Sequence, residues 1–210
     1  MTASIQVAIV DDDESARKAL ARLLRSAGIE PAAFSSAREF LDHPNAEVMG
    51  CAVIDLWMPE LNGLALQAEL ERRLPHLAVV FVSGNGNVSS SVHAMKAGAI
   101  DFLEKPVSGE ALLKAVRLAM ERTRATKLAG QELDALSQRY RTLTPREREV
   151  FALITAGLLN KQAGAELGAS EKTIKVHRAR VMEKMEAGSL ADLVRMAQRL
   201  GIDRNRAGFR

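Results

Sequence analysis

Hydrophobic positions along the first 125 residues alternate between short continuous runs and helical spacing. Residues 5–10, 51–55 and 78–83 are near-continuous apolar runs, the pattern of strands buried on both faces. Residues 31–34 and 101–103 read as two shorter strands. Between them, residues 15–27 place Ala16, Leu20, Leu23 and Leu24 on one helical face, and Gly28 stops that helix. Segments 36–42, 63–73, 88–97 and 108–123 read as further helices, with Gly98 closing the segment 88–97. Five strands alternating with five helices predict an α/β fold: a (βα)5, doubly wound parallel sheet with helices on both faces.

The pattern then changes. Residues 123–140 are polar, helix-forming and free of proline, with Gly130 as one soft point, and read as a linker that extends the last helix. From Leu143 the period is helical to the end. Thr144, Pro145 and Glu147 spell a capping box with proline at the first helical position. Gly157 ends that helix; 161–167, 170–185 and 189–200 follow, with a tight turn at Gly168. The expected second unit is all-α, four helices containing a helix-turn-helix over 160–184. Domain bounds are expected at 4–121, a helical linker at 122–141, the helical domain at 142–204 and a tail at 205–210. The chain from Asp203 onward reads as disordered.

Composition narrows the class. With 210 residues, 47% hydrophobic and 26% charged, the chain is long enough for two small domains, each with a core. Aromatics at 4% argue against an aromatic-lined nucleic-acid platform and a β-sandwich. The single cysteine, Cys51, excludes an internal disulfide framework and a cysteine zinc site. No apolar run is long enough to cross a bilayer, and residues 1–6 lack the basic-then-apolar order of a secretory signal, so a cytoplasmic location and no membrane partner are expected. Charge is divided unevenly. Of 29 Lys+Arg and 26 Asp+Glu, residues 1–120 hold 11 and 15, leaving 18 and 11 for residues 121–210. An acidic half followed by a basic half suits a polyanion-binding module joined to a different one; a merely solvated basic face has the same charge.

In an open parallel sheet, ligands collect beyond the carboxyl ends of the strands. Asp11, Asp12 and Asp13 follow the first strand, Asp55 ends the third, Ser83 ends the fourth and Lys105 follows the fifth. Carboxylates converging there repel unless a cation sits among them, and a hard divalent ion with oxygen ligands, Mg2+, answers that need. Lysine and serine beside them suit the oxygens of a phosphoryl group, which an aspartate can itself accept.

These residues resemble a known family. Val10-Asp11-Asp12, Asp55 with Met58-Pro59, Ser83-Gly84, and Phe102 with Lys105-Pro106 are similar in order and spacing to the receiver domain of two-component response regulators, a flavodoxin-like fold. The resemblance implies that Asp55 is the phosphoacceptor. It also implies that Asp12 and Asp55 bind Mg2+ directly, that Asp11 does so through water, and that the backbone carbonyl of Trp57 completes the protein ligands. Ser83 and Lys105 would grip the phosphoryl oxygens, Ser83 and Phe102 would relay the switch, and Pro106 would be a cis-proline. Asp13 reads as a helix cap rather than a ligand. Trp57 reads as exposed, His43, His76 and His93 as surface residues, and Cys51 as core. Asp11-Asp12-Asp13 also resembles the Asp-x-Asp start of haloacid-dehalogenase-type phosphatases. Those enzymes need a late acidic pair, and after Ser83 this half offers only Asp101, Glu104 and Glu110, none paired.

In the helix 170–185, Ile174, Val181 and Met185 fall on one face, while Lys172, Lys175, Val176, Ala179 and Arg180 point away. An apolar seat with a basic outer face fits a major groove. Arg178 lies nearer the seat and is expected to reach a phosphate or an acid of its own domain. Leu143-Thr-Pro-Arg-Glu-Arg-Glu-Val, Asn160-Lys161 and Thr173-Ile-Lys-Val-His-Arg are similar to the LuxR-type DNA-binding domain of NarL/FixJ regulators, and the whole chain resembles those of the StyR/TodT type. The resemblance implies base contact by Lys175 and Val176, and phosphate contact by Lys161, Lys172, Thr173 and Arg178. Gln162-Ala163-Gly164-Ala165 departs from the usual Ile-Ala at this place, and Gly164 weakens an isolated helix by about 1 kcal/mol relative to alanine. The expected function is that of a non-enzymatic transcription regulator. A sensor histidine kinase would phosphorylate it, it would dimerise when phosphorylated, and it would bind promoter DNA with RNA polymerase as a further partner. Two rivals come from other classes: a phosphatase that turns over phosphomonoesters without a second protein, and a phosphorylation-independent DNA-binding protein with a vestigial receiver.

Overall fold

The structure is a computed structural model that describes residues 6–84 and 88–202. It divides into two compact units, Met1–Lys127 and Leu128–Arg210.

The first unit is built from β1 (Gln6–Val10), α1 (Glu14–Ser26), β2 (Glu30–Phe34), α2 (Ala37–Leu41), β3 (Cys51–Asp55), α3 (Gly63–Arg73), β4 (Val79–Ser83), α4 (Val88–Lys96), β5 (Asp101–Glu104) and the first part of α5 (Gly109–Arg141). The strands pair in parallel in the order β2-β1-β3-β4-β5, so the doubly wound sheet expected from the pattern is present. β3 and β4 are buried at every position because helices cover both faces. One face packs Val10, Ile54, Leu66, Leu70 and Phe81 together, and the other packs Ile9, Leu24, Val53, Val82, Leu112 and Val116. Pro31 is tolerated because β2 is an edge strand. A short 3-10 turn at Ala46–Val48 was not anticipated.

Local chemistry sets the ends. Asp13 caps α1 by accepting from the Ser15 amide, as expected of a cap rather than a ligand. Gly28 and Gly98 hold positive φ after α1 and α4. Ile5 and the tail from Asp203 lie outside the described residues.

The second unit contains the end of α5, then α6 (Pro145–Thr155), α7 (Asn160–Leu167), α8 (Glu171–Met185) and α9 (Leu190–Arg199). The capping box at Thr144 and Glu147 forms as read from the sequence. Leu143, Val150, Phe151, Ile154, Ile174, Val181, Met185 and Leu193 make the core. Leu136 of α5 is only 4% exposed in that same core, and Tyr140 packs edge-on against Phe151 with ring centroids 5.3 Å apart. The last turns of α5 therefore belong to the helical unit by packing. Among the described residues, no helix is long and apolar enough to cross a membrane.

Candidate functional sites

The parallel sheet brings the carboxyl ends of β1, β3, β4 and β5 to one edge, where the side chains of Asp11, Asp12, Asp55 and Lys105 converge. Asp11 is 1% exposed and Asp55 6%, whereas Asp12 is exposed. Ligand oxygens of all three lie within 4.8 Å of one another. Lys105 Nζ bridges two of them, 2.7 Å from Asp11 Oδ2 and 2.8 Å from Asp55 Oδ1. The Lys105–Pro106 peptide is cis, and the Lys105 amide donates to the Ser83 carbonyl at 2.8 Å, which ties the lysine to the end of β4. Ser83 is fully buried. Phe102 is half-buried, its ring 6.4 Å from that of Phe81.

Backbone donors fix the carboxylates. The Asp13 amide donates to Asp11 Oδ1 and the Trp57 amide to Asp55 Oδ2, each at 2.9 Å. Burial pushes the Asp55 carboxyl above its ordinary range; Lys105 opposes that shift without cancelling it, and Asp11 adds to it. Burial also works against the Lys105 charge, but the two carboxylates together outweigh it and hold the ammonium above its ordinary value. Three carboxylates against one ammonium leave local negative charge. Hard oxygen donors at this separation suit Mg2+, with Asp11, Asp12 and Asp55 as the residues that would hold it. The Trp57 side chain is 56% exposed.

Two contacts at this edge were not read from the sequence. Arg17 Nη1 donates to the Asp11 carbonyl at 2.6 Å. A Cβ on Gly63 would stand 2.5 Å from the Asp55 carbonyl, so only glycine lets α3 start this close to the third strand. Glycine directly after the capping Asn62 was the available signal.

In the helical unit, α7, the turn at Gly168 and α8 form the helix-turn-helix. Ile174, Val181 and Met185 are fully buried, while Lys172, Thr173, Lys175, Val176, Ala179 and Arg180 are exposed. Lys161 is exposed on α7. Lys175 forms a solvent-exposed pair with Glu171 at 3.3 Å, which costs little to break. Arg178 is half-buried and donates to the Asn160 side-chain oxygen at 3.3 Å; its partner inside the domain is thus an amide and not an acid. Burial disfavours the Glu147 charge, yet Lys184 at 2.6 Å and the Thr144 donors outweigh it and hold the carboxyl below its ordinary range. Gly164, a departure from the usual pattern, has a tertiary reason: a Cβ there would lie 2.6 Å from the Ala169 carbonyl. Its absence lets the turn close.

Comparison with known proteins matches each of the two units to a family. The family described as response regulator receiver domain matches residues 7–117, and that described as bacterial regulatory proteins, luxR family, matches 141–197. Nodulation protein W of Bradyrhizobium diazoefficiens is 46% identical over 199 residues, covering 95% of this chain and 88% of that protein. The transcriptional regulatory protein FixJ of Azorhizobium caulinodans is 42% identical, covering 96% of each chain. A solved structure of the response regulator StyR superposes with a TM-score of 0.81 at 42% identity, covering 93% of this chain and 99% of that one.

Proposed function

Because the chain belongs to the NarL/FixJ family of two-component response regulators, transcription regulators that are not enzymes and that join a receiver to a LuxR-type DNA-binding domain, we propose that Asp55 accepts a phosphoryl group from a sensor histidine kinase and that this switches DNA binding. The observation that carries the reading is Lys105 Nζ held between Asp11 and Asp55 at one edge of the sheet, beside a third carboxylate. The phosphorus–nitrogen bond of the kinase phosphohistidine breaks as an Asp55 carboxylate oxygen bonds to phosphorus. The imidazole keeps the electron pair and takes a proton from solvent. Mg2+, when bound, neutralises charge on the phosphoryl oxygens and the surrounding carboxylates. Lys105 then follows the new phosphoryl oxygens, and the Ser83 hydroxyl donates to one of them. Phe102 turns with that movement and reshapes the surface of α4 and β5.

The reading continues to DNA. One helix-turn-helix spans few base pairs, so a phosphorylated homodimer reading two half-sites supplies the specificity. Lys175 and Val176 face the bases, while Lys161, Lys172, Thr173 and Arg178 hold phosphates. The work is done in the cytoplasm on promoter DNA, with RNA polymerase as a further partner. Incubation with acetyl phosphate and Mg2+ tests the first step: label is expected on Asp55 and is lost in Asp55→Asn. Label on Asp11 would instead support a phosphatase.

A further inference from the structure

We infer that Gln67, outside the phosphoryl site, is a positioning residue of the switch: it pins the C-terminal end of α4, so that α4 pivots about that end when Asp55 is phosphorylated. The inference rests on the function proposed above.

Gln67 lies on α3 and is 4% exposed. Its Nε2 donates to the Ala97 carbonyl at 2.8 Å, with a longer contact of 3.4 Å to the Ala94 carbonyl. Carbonyls in the last turn of a helix have no partner within it. Here Gly98, at φ 84°, turns the chain and the Ala99 amide returns to the Ala94 carbonyl, while a side chain from another helix satisfies the Ala97 carbonyl. Ile100 then donates to the Val79 carbonyl at 2.8 Å, which places this end of α4 beside the start of β4. The other end of α4 follows Ser83, at the finish of β4. The nine residues of α4 thus span roughly 14 Å from the phosphoryl edge to the Gln67 edge.

Two features show that Gln67 is not there for packing. Among the described residues its buried Oε1 has no hydrogen-bond partner, a cost that an aliphatic side chain of similar size would avoid. Beside it is a cavity of about 290 Å3 lined by Gln67, Leu70, Leu77, Ala97, Gly98 and Thr126. Packing at this end of α4 is therefore incomplete, and the amide supplies the fixed point. A lever held at its far end moves most at its near end, beside Ser83 and Phe102, where the phosphoryl group acts.

The test uses the full chain with Gln67→Met, which keeps volume and removes the donor, and Gln67→Lys, which restores a donor towards the same carbonyls. DNA affinity on a two-fold site is measured with and without beryllofluoride as the phosphoryl mimic, and Asp55 labelling by acetyl phosphate is followed in parallel. Gln67→Met is expected to label at the wild-type rate but to lose about fivefold or more of the affinity gained with the mimic. Gln67→Lys is expected to recover most of that gain. A Gln67→Met protein that labels normally and gains as much as wild type overturns the inference alone. So does a variant that no longer labels, because Gln67 then acts on the site itself. A wild-type chain that gains nothing from the mimic overturns the proposed function and the inference with it.

Discussion

Lys105 and Asp55 stand 50 positions apart in the chain, yet Lys105 Nζ lies 2.8 Å from Asp55 Oδ1 and uses the same ammonium to hold Asp11. The site is thus a charge cluster with a deficit of cation, and several outcomes follow from that imbalance.

Replacing Lys105 by alanine leaves two buried carboxylates without their shared partner. Stability in urea at pH 7 is expected to fall by about 1–3 kcal/mol, the usual cost of leaving a buried polar group unpaired. Mg2+ is expected to return part of the loss, because it neutralises the same carboxylates. A loss that Mg2+ leaves unchanged would place Lys105 outside the metal-binding cluster.

Asp55→Asn has the opposite sign. Burial raises the folded-state carboxyl above its ordinary value of 3.8, so this group favours folding below that value and works against it as pH rises through the folded value. At pH 7 the charge is a liability, and the neutral variant is expected to be at least as stable as the wild type. The advantage should shrink towards pH 3.5, where the Asp55 carboxyl is mostly protonated. Urea midpoints at the two pH values decide it.

Trp57 is the single tryptophan, and its amide is bound to Asp55 Oδ2 at 2.9 Å. Its fluorescence is expected to change as Mg2+ is added. Asp12→Ala should weaken that response by more than about tenfold, a loss usual even for groups outside the metal's direct ligands. An unchanged titration would remove Asp12 from the metal site.

A fragment 128–210 is expected to bind DNA, with affinity falling as salt rises. A fragment from 141 should be less stable by about 3 kcal/mol, since it lacks Leu136 and Tyr140 of the core. Within the longer fragment, Lys175→Ala should cost about 1–3 kcal/mol on the specific site, and Lys161→Ala should weaken all sequences alike. Equal losses on specific and random DNA for Lys175→Ala would exclude base readout by that residue.

Gly164→Ala separates local from tertiary preference. Helix propensity favours alanine by about 1 kcal/mol, but the new methyl would meet the Ala169 carbonyl at 2.6 Å. A lower melting temperature and weaker DNA binding are expected. A higher melting temperature would mean that the turn relaxes freely.

Beryllofluoride is expected to convert the chain from monomer to dimer in light scattering. The exposed Val92 and Met95 on α4 and Leu118 on α5 are candidate contacts for that pairing. A mass that stays monomeric on and off DNA would leave unmasking of the DNA-binding helix as the better account.

Periodicity and punctuation along the chain were enough to determine the elements and their order. Continuous apolar runs such as 51–55 require burial on both faces, and Asp13, Thr144 and Gly168 act through hydrogen bonds and φ angles within a few residues of themselves. The convergence of Asp11, Asp12, Asp55 and Lys105 was also legible, because a parallel sheet sends every strand's carboxyl end to one edge. The seat of α8 followed from spacing alone, with Ile174, Val181 and Met185 buried as their positions require. Contacts between elements distant in sequence were decided by tertiary structure alone. Arg178 found the Asn160 amide rather than an acid, since only packing brings α7 and α8 to that register. Gly164, a weak helix residue by propensity, is required by the approach of the Ala169 carbonyl. Leu136 and Tyr140 look like polar-linker residues until the core that buries them exists. Gln67 is one unremarkable amide among the polar positions of its helix until α4 ends against it. Local signals report energies that one segment carries by itself; each of these five residues owes its role to atoms that another segment supplies.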